Sequence, residues 1–248
     1  MGDTLTAGLD TYERVVQFRT PKGRDVEMTI RDGTNDWNTL NACMSEDEYG
    51  LRDWSGTGWA LDIGGYLGGV GIGLALDNPD LRVLIVEPVP DNIRLIKANI
   101  ERNNVGDRVT LIEGAIGDGG PVSVWHGYQG TPEGEHHRFV GNSSLAYDHG
   151  GELRHEETVY DSLTLGDLLS TYPPGNDPGF SLVKIDCEGG EWAFLDDVLV
   201  ANCDVILGEA HSVRGKKGKD IADLLGATHD VTIIGDGEAT CEFRAVLR

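Results

Sequence analysis

The sequence predicts an α/β fold: a mostly parallel, doubly wound sheet closed by an antiparallel C-terminal hairpin, behind a small N-terminal extension of β-hairpin and short helices. Two observations carry the prediction. From Trp59 onward, short apolar runs (W-A-L-D-I, R-V-L-I-V-E, R-V-T-L-I-E-G) alternate with segments of helical period. Strands that are apolar almost throughout belong to a parallel sheet buried on both faces. The chain then ends in D-V-T-I-I-G-D-G-E-A-T-C-E-F-R-A-V-L, two β-rich runs around Gly235-Asp236-Gly237, which reads as a hairpin with a D-G turn. At 248 residues and 39% apolar content the chain suits one large core. The expected division is an extension over 1–57 packed on a core domain over 58–248, with an irregular insertion at about 118–160.

The elements follow in order. Residues 13–32 hold two β-rich runs around Pro21-Lys22-Gly23, a hairpin signal. Residues 35–54 read as one or two short helices with acidic interruptions. W-A-L-D-I is a strand and Leu67 to Leu76 a glycine-rich helix. After the strand R-V-L-I-V-E, a helix puts Ile93, Leu95, Ile96 and Ile100 on one face, with Asp91 as cap and Gly106 as stop. In the middle, P-V-S-V-W-H-G looks like a strand and H-R-F-V-G-N-S-S-L-A-Y like a loop; T-V-Y-D-S-L-T is a strand and L-G-D-L-L a short helix. The strand F-S-L-V-K-I-D leads to a helix over Glu191 to Leu199, then the strand C-D-V-I-L-G-E and the helix K-G-K-D-I-A-D-L-L.

Composition excludes several function classes. Twenty basic against 42 acidic side chains give a net charge of −22, a field that repels phosphate backbones, so no nucleic-acid partner is expected. No run reaches the roughly 18 apolar residues of a membrane span, so no membrane partner is expected. The first residues lack the basic-then-apolar layout of a signal peptide, and a cytoplasmic location is the expectation. Cys43, Cys187, Cys203 and Cys241 show no metal-like or redox spacing and read as small apolar residues.

Three stretches carry chemistry. A-L-D-I-G-G-Y-L-G ends a strand at Asp62 and turns through Gly64, Gly65 and Gly68 into a helix, the glycines allowing tight turning and close ligand approach. It is D-x-G-x-x-x-G, not the dinucleotide fingerprint G-x-G-x-x-G, which disfavours a nicotinamide-dependent dehydrogenase. A carboxylate at its start suits a cationic or amino-bearing ligand better than a pyrophosphate. Glu87 ends the next strand at a distance from Asp62 where an acidic side chain can accept both ribose hydroxyls. Third, V-K-I-D-C-E-G-G-E-W delivers Asp186, Glu188 and Glu191 just past a core strand that also carries Lys184. For Glu191 the helix dipole is sufficient explanation, and for Lys184 an ion pair with one of these carboxylates. His211 follows Glu209 at the end of I-L-G-E-A-H.

Together these pieces resemble the class I S-adenosylmethionine-dependent methyltransferases, and more narrowly the FkbM-type family. The resemblance runs through L-D-I-G-G-Y-L-G, V-E-P-V-P-D-N-I-R-L-I-K-A-N-I-E-R-N, G-N-S-S-L, V-Y-D-S-L-T-L-G-D-L-L, V-K-I-D-C-E-G-G-E-W and I-L-G-E-A-H, over roughly residues 45 to 245. It implies a Rossmann-like domain that moves a methyl group from S-adenosylmethionine, typically to a hydroxyl oxygen of a small molecule or glycan. It also implies roles: Asp62, Gly64, Gly65 and Gly68 around the methionine part, Glu87 and Pro88 at the ribose, Ala115 and Ile116 beside the adenine, Asp186 at the methyl end. One departure stands out. The family has G-A-N-x-G in the first loop, where this chain has Gly64-Gly65-Tyr66-Leu67-Gly68, a bulky phenol replacing a compact amide. Asp186, Glu188 and His211 are the expected catalytic residues, the last two as bases. Their ligand types would also suit a divalent ion, but the spacing is not diagnostic and a plain acid–base site without metal is expected. A catalytically silent, methyltransferase-like binding module is the alternative. His126, His136 and His137 could line the acceptor site only if the middle segment folds over it.

Overall fold

The computed structural model describes residues 12–130, 136–139, 154–172, 179–195, 202–212, 215–235 and 240–248; within these, 125–130, 136–139 and 154–157 are described by strand pairing alone. Strands β1 (Glu13–Arg19) and β2 (Asp25–Arg31) form the expected first hairpin, followed by α1 (Asp36–Leu40), which runs directly into a π-helical turn over Asn41–Ser45. The core begins with β3 (Gly58–Ile63), α2 (Gly69–Asp77), β4 (Leu81–Glu87), α3 (Pro90–Arg102) and β5 (Val109–Glu113). Next come β6 (Ala115–Ile116), β7 (Pro121–Gly130), β8 (His136–Phe139), β9 (Arg154–Leu163) and α4 (Leu165–Thr171). The chain finishes with β10 (Leu182–Ile185), a 3₁₀ turn (Gly190–Ala193), β11 (Val205–His211), α5 (Ile221–Leu225), β12 (His229–Ile234) and β13 (Thr240–Leu247).

Seven strands make the main sheet in the order β5-β4-β3-β10-β11-β13-β12. All adjacent pairs from β5 to β11 are parallel, and β13 runs antiparallel to both β11 and β12. The C-terminal hairpin therefore does not simply add to the edge: its second strand slots between β11 and its own first strand, leaving β12 outermost. The chain winds outward from β3 to β5 and returns to β10 on the opposite side of β3. That reversal places the topological switch point, where ligands of such sheets bind, between the carboxyl ends of β3 and β10.

Alternation along the strands divides the core into two layers. Ala60, Val83, Ile85, Leu182 and Leu207 face one layer, with α2 and the N-terminal extension. Leu61, Leu84, Val86, Val183 and Ile206 face the other, with α4 and α5. Helix α2 is buried almost all round because the extension covers its outer side: Leu40 and Cys43 lie where a Cβ on Gly69 would stand, and Ile85 where one on Gly71 would. This is why that helix is rich in glycine.

Several local expectations need correction. Asp91 does not cap α3; Pro90 occupies the first helical position after Val89, and Asp91 lies in the first turn, where its charge suits the dipole. The insertion is not irregular over the described residues, since β6, β9, β7 and β8 form a four-stranded sheet, and the loop expected from His137 begins with a strand to Phe139. G-N-S-S-L lies outside the described residues, as do 196–199 of the helix expected from Glu191 and most of the D-G turn. No helix among the described residues is long and apolar enough to cross a membrane.

Candidate active site

The carboxyl ends of β3, β4, β10 and β11 deliver Asp62, Glu87, Asp186 and Glu209 to one edge of the sheet. Asp62 and Lys184 are register neighbours on adjacent strands, on the face of the extension. Both are buried, and Lys184 Nζ lies 3.3 Å from Asp62 Oδ1, an ion pair whose angles fall short of a hydrogen bond. The ammonium instead donates to the carbonyl of Gly64 at 2.7 Å, and Asp62 Oδ2 accepts the Gly71 N–H at 3.0 Å. Burial works against the charge on Lys184, but Asp62 and Asp186 override it and raise its pKa; burial pushes the Asp62 carboxyl up. The pair is thus a strut beneath the glycine loop. Asp62 is wholly enclosed there, holding α2 and Lys184 rather than facing the crevice.

The loop above it is fixed by its own backbone. Gly64 has φ +79°, and a Cβ there would lie 1.8 Å from the Asp186 carbonyl oxygen, so only glycine lets β3 and β10 meet. The N–H groups of Gly64 and Gly65 both donate to Val86 O, that of Gly68 to Gly65 O, and that of Tyr66 to Glu87 Oε2. A loop whose amides are spent this way makes a poor pyrophosphate cradle. Tyr66 itself sits at φ +52°, an uncommon conformation for a bulky residue. Its side chain secures it: the hydroxyl donates to Asp36 Oδ1 at 2.6 Å, and the Arg31 guanidinium lies 5.8 Å from its ring centre. Arg31 and Asp36 are fully buried and bidentately paired, and Arg31 also donates to Asn92, which donates to Glu87. The departure at position 66 thereby connects the first loop to the N-terminal extension.

Glu87 is 4% exposed and accepts from Tyr66 N–H, Val89 N–H and Asn92 Nδ2. Burial pushes its pKa up to about 7 despite these donors. A carboxylate has about four lone-pair sites, so three donors leave room for one more hydroxyl, not a full diol. Ala115 and Ile116 form β6, both buried, and pair with Ser162 and Leu163.

Asp186, Glu188 and His211 converge: one ligand-capable atom from each lies within 4.8 Å of the others. Glu188 reaches inward from a tight turn, with φ +55° followed by Gly189 at +100°. Its Oε2 is 3.3 Å from His211 Nε2, and Glu209 Oε2 is 3.9 Å from the same nitrogen. Glu191 stands in the first turn of the 3₁₀ segment, as expected, and does more there. It is fully buried, accepting the His211 backbone N–H, contacting His211 Nδ1 at 3.1 Å and accepting the Gly189 N–H at 2.9 Å. It fixes the imidazole ring and closes the turn at once. Burial opposes charge on His211, but Glu188 and Glu191 override it and push its pKa up to about 11.

Sequence reasoning missed Tyr49. From the extension, its hydroxyl donates to Asp186 Oδ2 at 2.9 Å, while Lys184 Nζ lies 5.7 Å from its ring centre. Nothing local in S-E-D-E-Y-G marks it; the contact spans 137 positions. The side chains of His126, His136 and His137 lie outside the described residues.

A family model, the methyltransferase FkbM domain, matches residues 73–231. The match starts inside α2, beyond the glycine loop with its unusual tyrosine. No curated protein matches the chain. Among solved structures, similarity is found to a precorrin-6y C5,15-methyltransferase from Geobacter metallireducens (13% identity, 79% of this chain and 83% of that one, TM-score 0.44). It is also found to an O-methyltransferase from Bacillus cereus in complex with SAH (16%, 77% and 74%, 0.42) and to the O-methyltransferase TomG from Streptomyces achromogenes in complex with SAM (16%, 77% and 73%, 0.43).

Proposed function

The chain belongs to the FkbM methyltransferase family, S-adenosylmethionine-dependent enzymes, and from that premise we propose that it methylates a hydroxyl oxygen of a small-molecule or glycan acceptor in the crevice between β3 and β10. When bound, S-adenosylmethionine would supply a sulfonium-activated methyl group: the sulfur would keep the electron pair of the broken C–S bond, and the acceptor oxygen would supply the pair for the new C–O bond. The observation that carries the reading is the convergence of Asp186, Glu188 and His211 at the switch point, beside the glycine loop.

The residues present fit the cofactor. Gly64 and Tyr66 are the incompletely buried residues of the loop and would border its methionine part, with Gly65 and Gly68 shaping the turn. Glu87, followed by Pro88, offers its remaining lone pair to a ribose hydroxyl, and Ala115 and Ile116 flank the adenine side. Asp62 acts from below by holding Lys184 and α2. Asp186, 24% exposed and held by Tyr49, borders the methyl end.

The chain's own work is alignment and proton removal. Near-contact alignment of acceptor and methyl contributes on the order of 7 kcal/mol in favourable systems. The acceptor proton has two carboxylates to go to, Glu188 and Glu209, both beside His211 Nε2. His211, itself held by Glu191, stands between them and fixes their positions. The test is transfer of labelled methyl from S-adenosylmethionine to a panel of hydroxyl, amine and carboxylate acceptors. A hydroxyl acceptor should be turned over, and Asp186→Ala should lose that turnover. Methylation of amines alone would overturn the acceptor assignment, and wild-type turnover by Asp186→Ala would overturn the role of Asp186.

A further inference from the structure

We propose that Asp186, Glu188 and His211 together bind one divalent cation, of the manganese, iron(II) or zinc kind, at the carboxyl ends of β10 and β11. The proposal deepens the reading above, resting on it for the cation's role but not for its binding.

The first argument is geometric. Ligands about 2.1 Å from a metal stand about 3.0 Å apart when adjacent and about 4.2 Å when opposite in an octahedron. His211 Nε2 and Glu188 Oε2 are 3.3 Å apart, and all three donor atoms lie within 4.8 Å of one another. Small side-chain rotations close that set on a common centre. Two carboxylates and one imidazole on one side leave the other side open to solvent or substrate, and this mixed set suits a borderline divalent ion better than calcium.

The second argument is the built support behind the histidine. A ligating imidazole is oriented by an acceptor on its other nitrogen. Here the fully buried Glu191 sits at 3.1 Å from Nδ1 and leaves Nε2 aimed at Glu188.

The third argument is charge. Glu209 of β11 stands directly opposite Glu242 of β13, a register that places like charges side by side. Glu48 adds a further carboxylate to the same field, near Asp186 and Glu209. Lys184, 4.0 Å from Asp186 Oδ2, is shared with Asp62 and the Gly64 carbonyl. A dication at the trio offsets this excess. There it would hold the acceptor hydroxyl and lower its pKa, and the proton would pass to Glu209 because Glu188 is engaged.

The experiment is manganese(II) titration of the full chain without methyl donor or acceptor, following loss of the free-ion EPR signal. High monovalent salt screens the surface charge of −22. One saturable site per chain is expected, weakened at least about 10-fold in Glu188→Gln and in His211→Gln. Asp107→Asn, three-quarters exposed, should leave it unchanged. Absence of a saturable site, or one that survives Glu188→Gln, overturns the proposal. Because Glu188 is 41% exposed, that variant tests the site even if His211→Gln fails to fold. S-adenosylmethionine binding, measured separately without metal, reports on the methyltransferase reading independently.

Discussion

Replacing Gly64 with alanine would put a Cβ 1.8 Å from the Asp186 carbonyl oxygen, at the junction of the two central strands. Gly23, in the first hairpin, supplies a matched reference. Its φ of +83° is close to the +79° of Gly64, but nothing lies within 4 Å of a Cβ built on it. Each substitution incurs the left-handed conformational cost, about 1–2 kcal/mol. Gly64→Ala must in addition push the backbone of the loop away from that of β10. Reaching even 3.0 Å, the lower limit of real Cβ contacts, takes 3.0 − 1.8, or about 1.2 Å. Forcing a packed interior apart adds typically 1–3 kcal/mol, so the two variants should differ by that amount in urea unfolding, with Gly64→Ala the weaker. A displacement near 1 Å at a catalytic carboxylate also reduces turnover by on the order of 10²-fold. Gly23→Ala should turn over normally. Equal losses of stability in the two variants would refute the argument, because strain alone would then account for both.

Tyr49→Phe keeps the ring beside Lys184 and removes one hydrogen bond to Asp186; turnover should fall about 10-fold, with cofactor affinity and melting temperature nearly unchanged. An unchanged rate would reduce Tyr49 to packing. The Glu87 carboxyl, raised by burial to about 7, gives a pH signature. Its folded pKa exceeds its unfolded value near 4.5, so the stability it contributes is complete below about pH 4.5 and lost as pH rises through 7. The loss amounts to about 3 kcal/mol at the conversion of 1.36 kcal/mol per pKa unit. Urea midpoints for Glu87→Gln at pH 5 and pH 8 should therefore differ less than those of the wild type. A difference equal to the wild type's would show that other groups, such as Glu48, carry the whole effect.

The strands of the main sheet were legible because parallel strands buried on both faces leave continuous apolar runs, as L-R-V-L-I-V-E does in β4. The carboxylates at strand ends were legible because a charge directly after such a run has no place in the core. What could not be read was pairing across the fold. Glu191 looks like an ordinary first-turn acid until β11 brings His211 against it, and Tyr49 meets Asp186 only because the extension folds over α2. The insertion of β13 between β11 and β12 was likewise hidden, since a hairpin has the same pattern whichever of its strands faces the sheet. In the insertion P-V-S-V-W-H-G and T-V-Y-D-S-L-T were legible as strands, but not their pairing with each other across some thirty positions, nor the short strand β8.

The buried chain from Arg31 through Asp36 to Tyr66 and Glu87 bears on how far this enzyme can be dissected. A cut at residue 57 would remove the partner of the Tyr66 hydroxyl, the guanidinium beside its ring and the cover of α2, together with Phe18, Val26, Met28 and Ile30 of the first core layer. The main sheet is thus not a portable module to which an extension has been appended. The glycine loop is completed by residues that precede it by about thirty positions, and change in the extension is at the same time change in that loop.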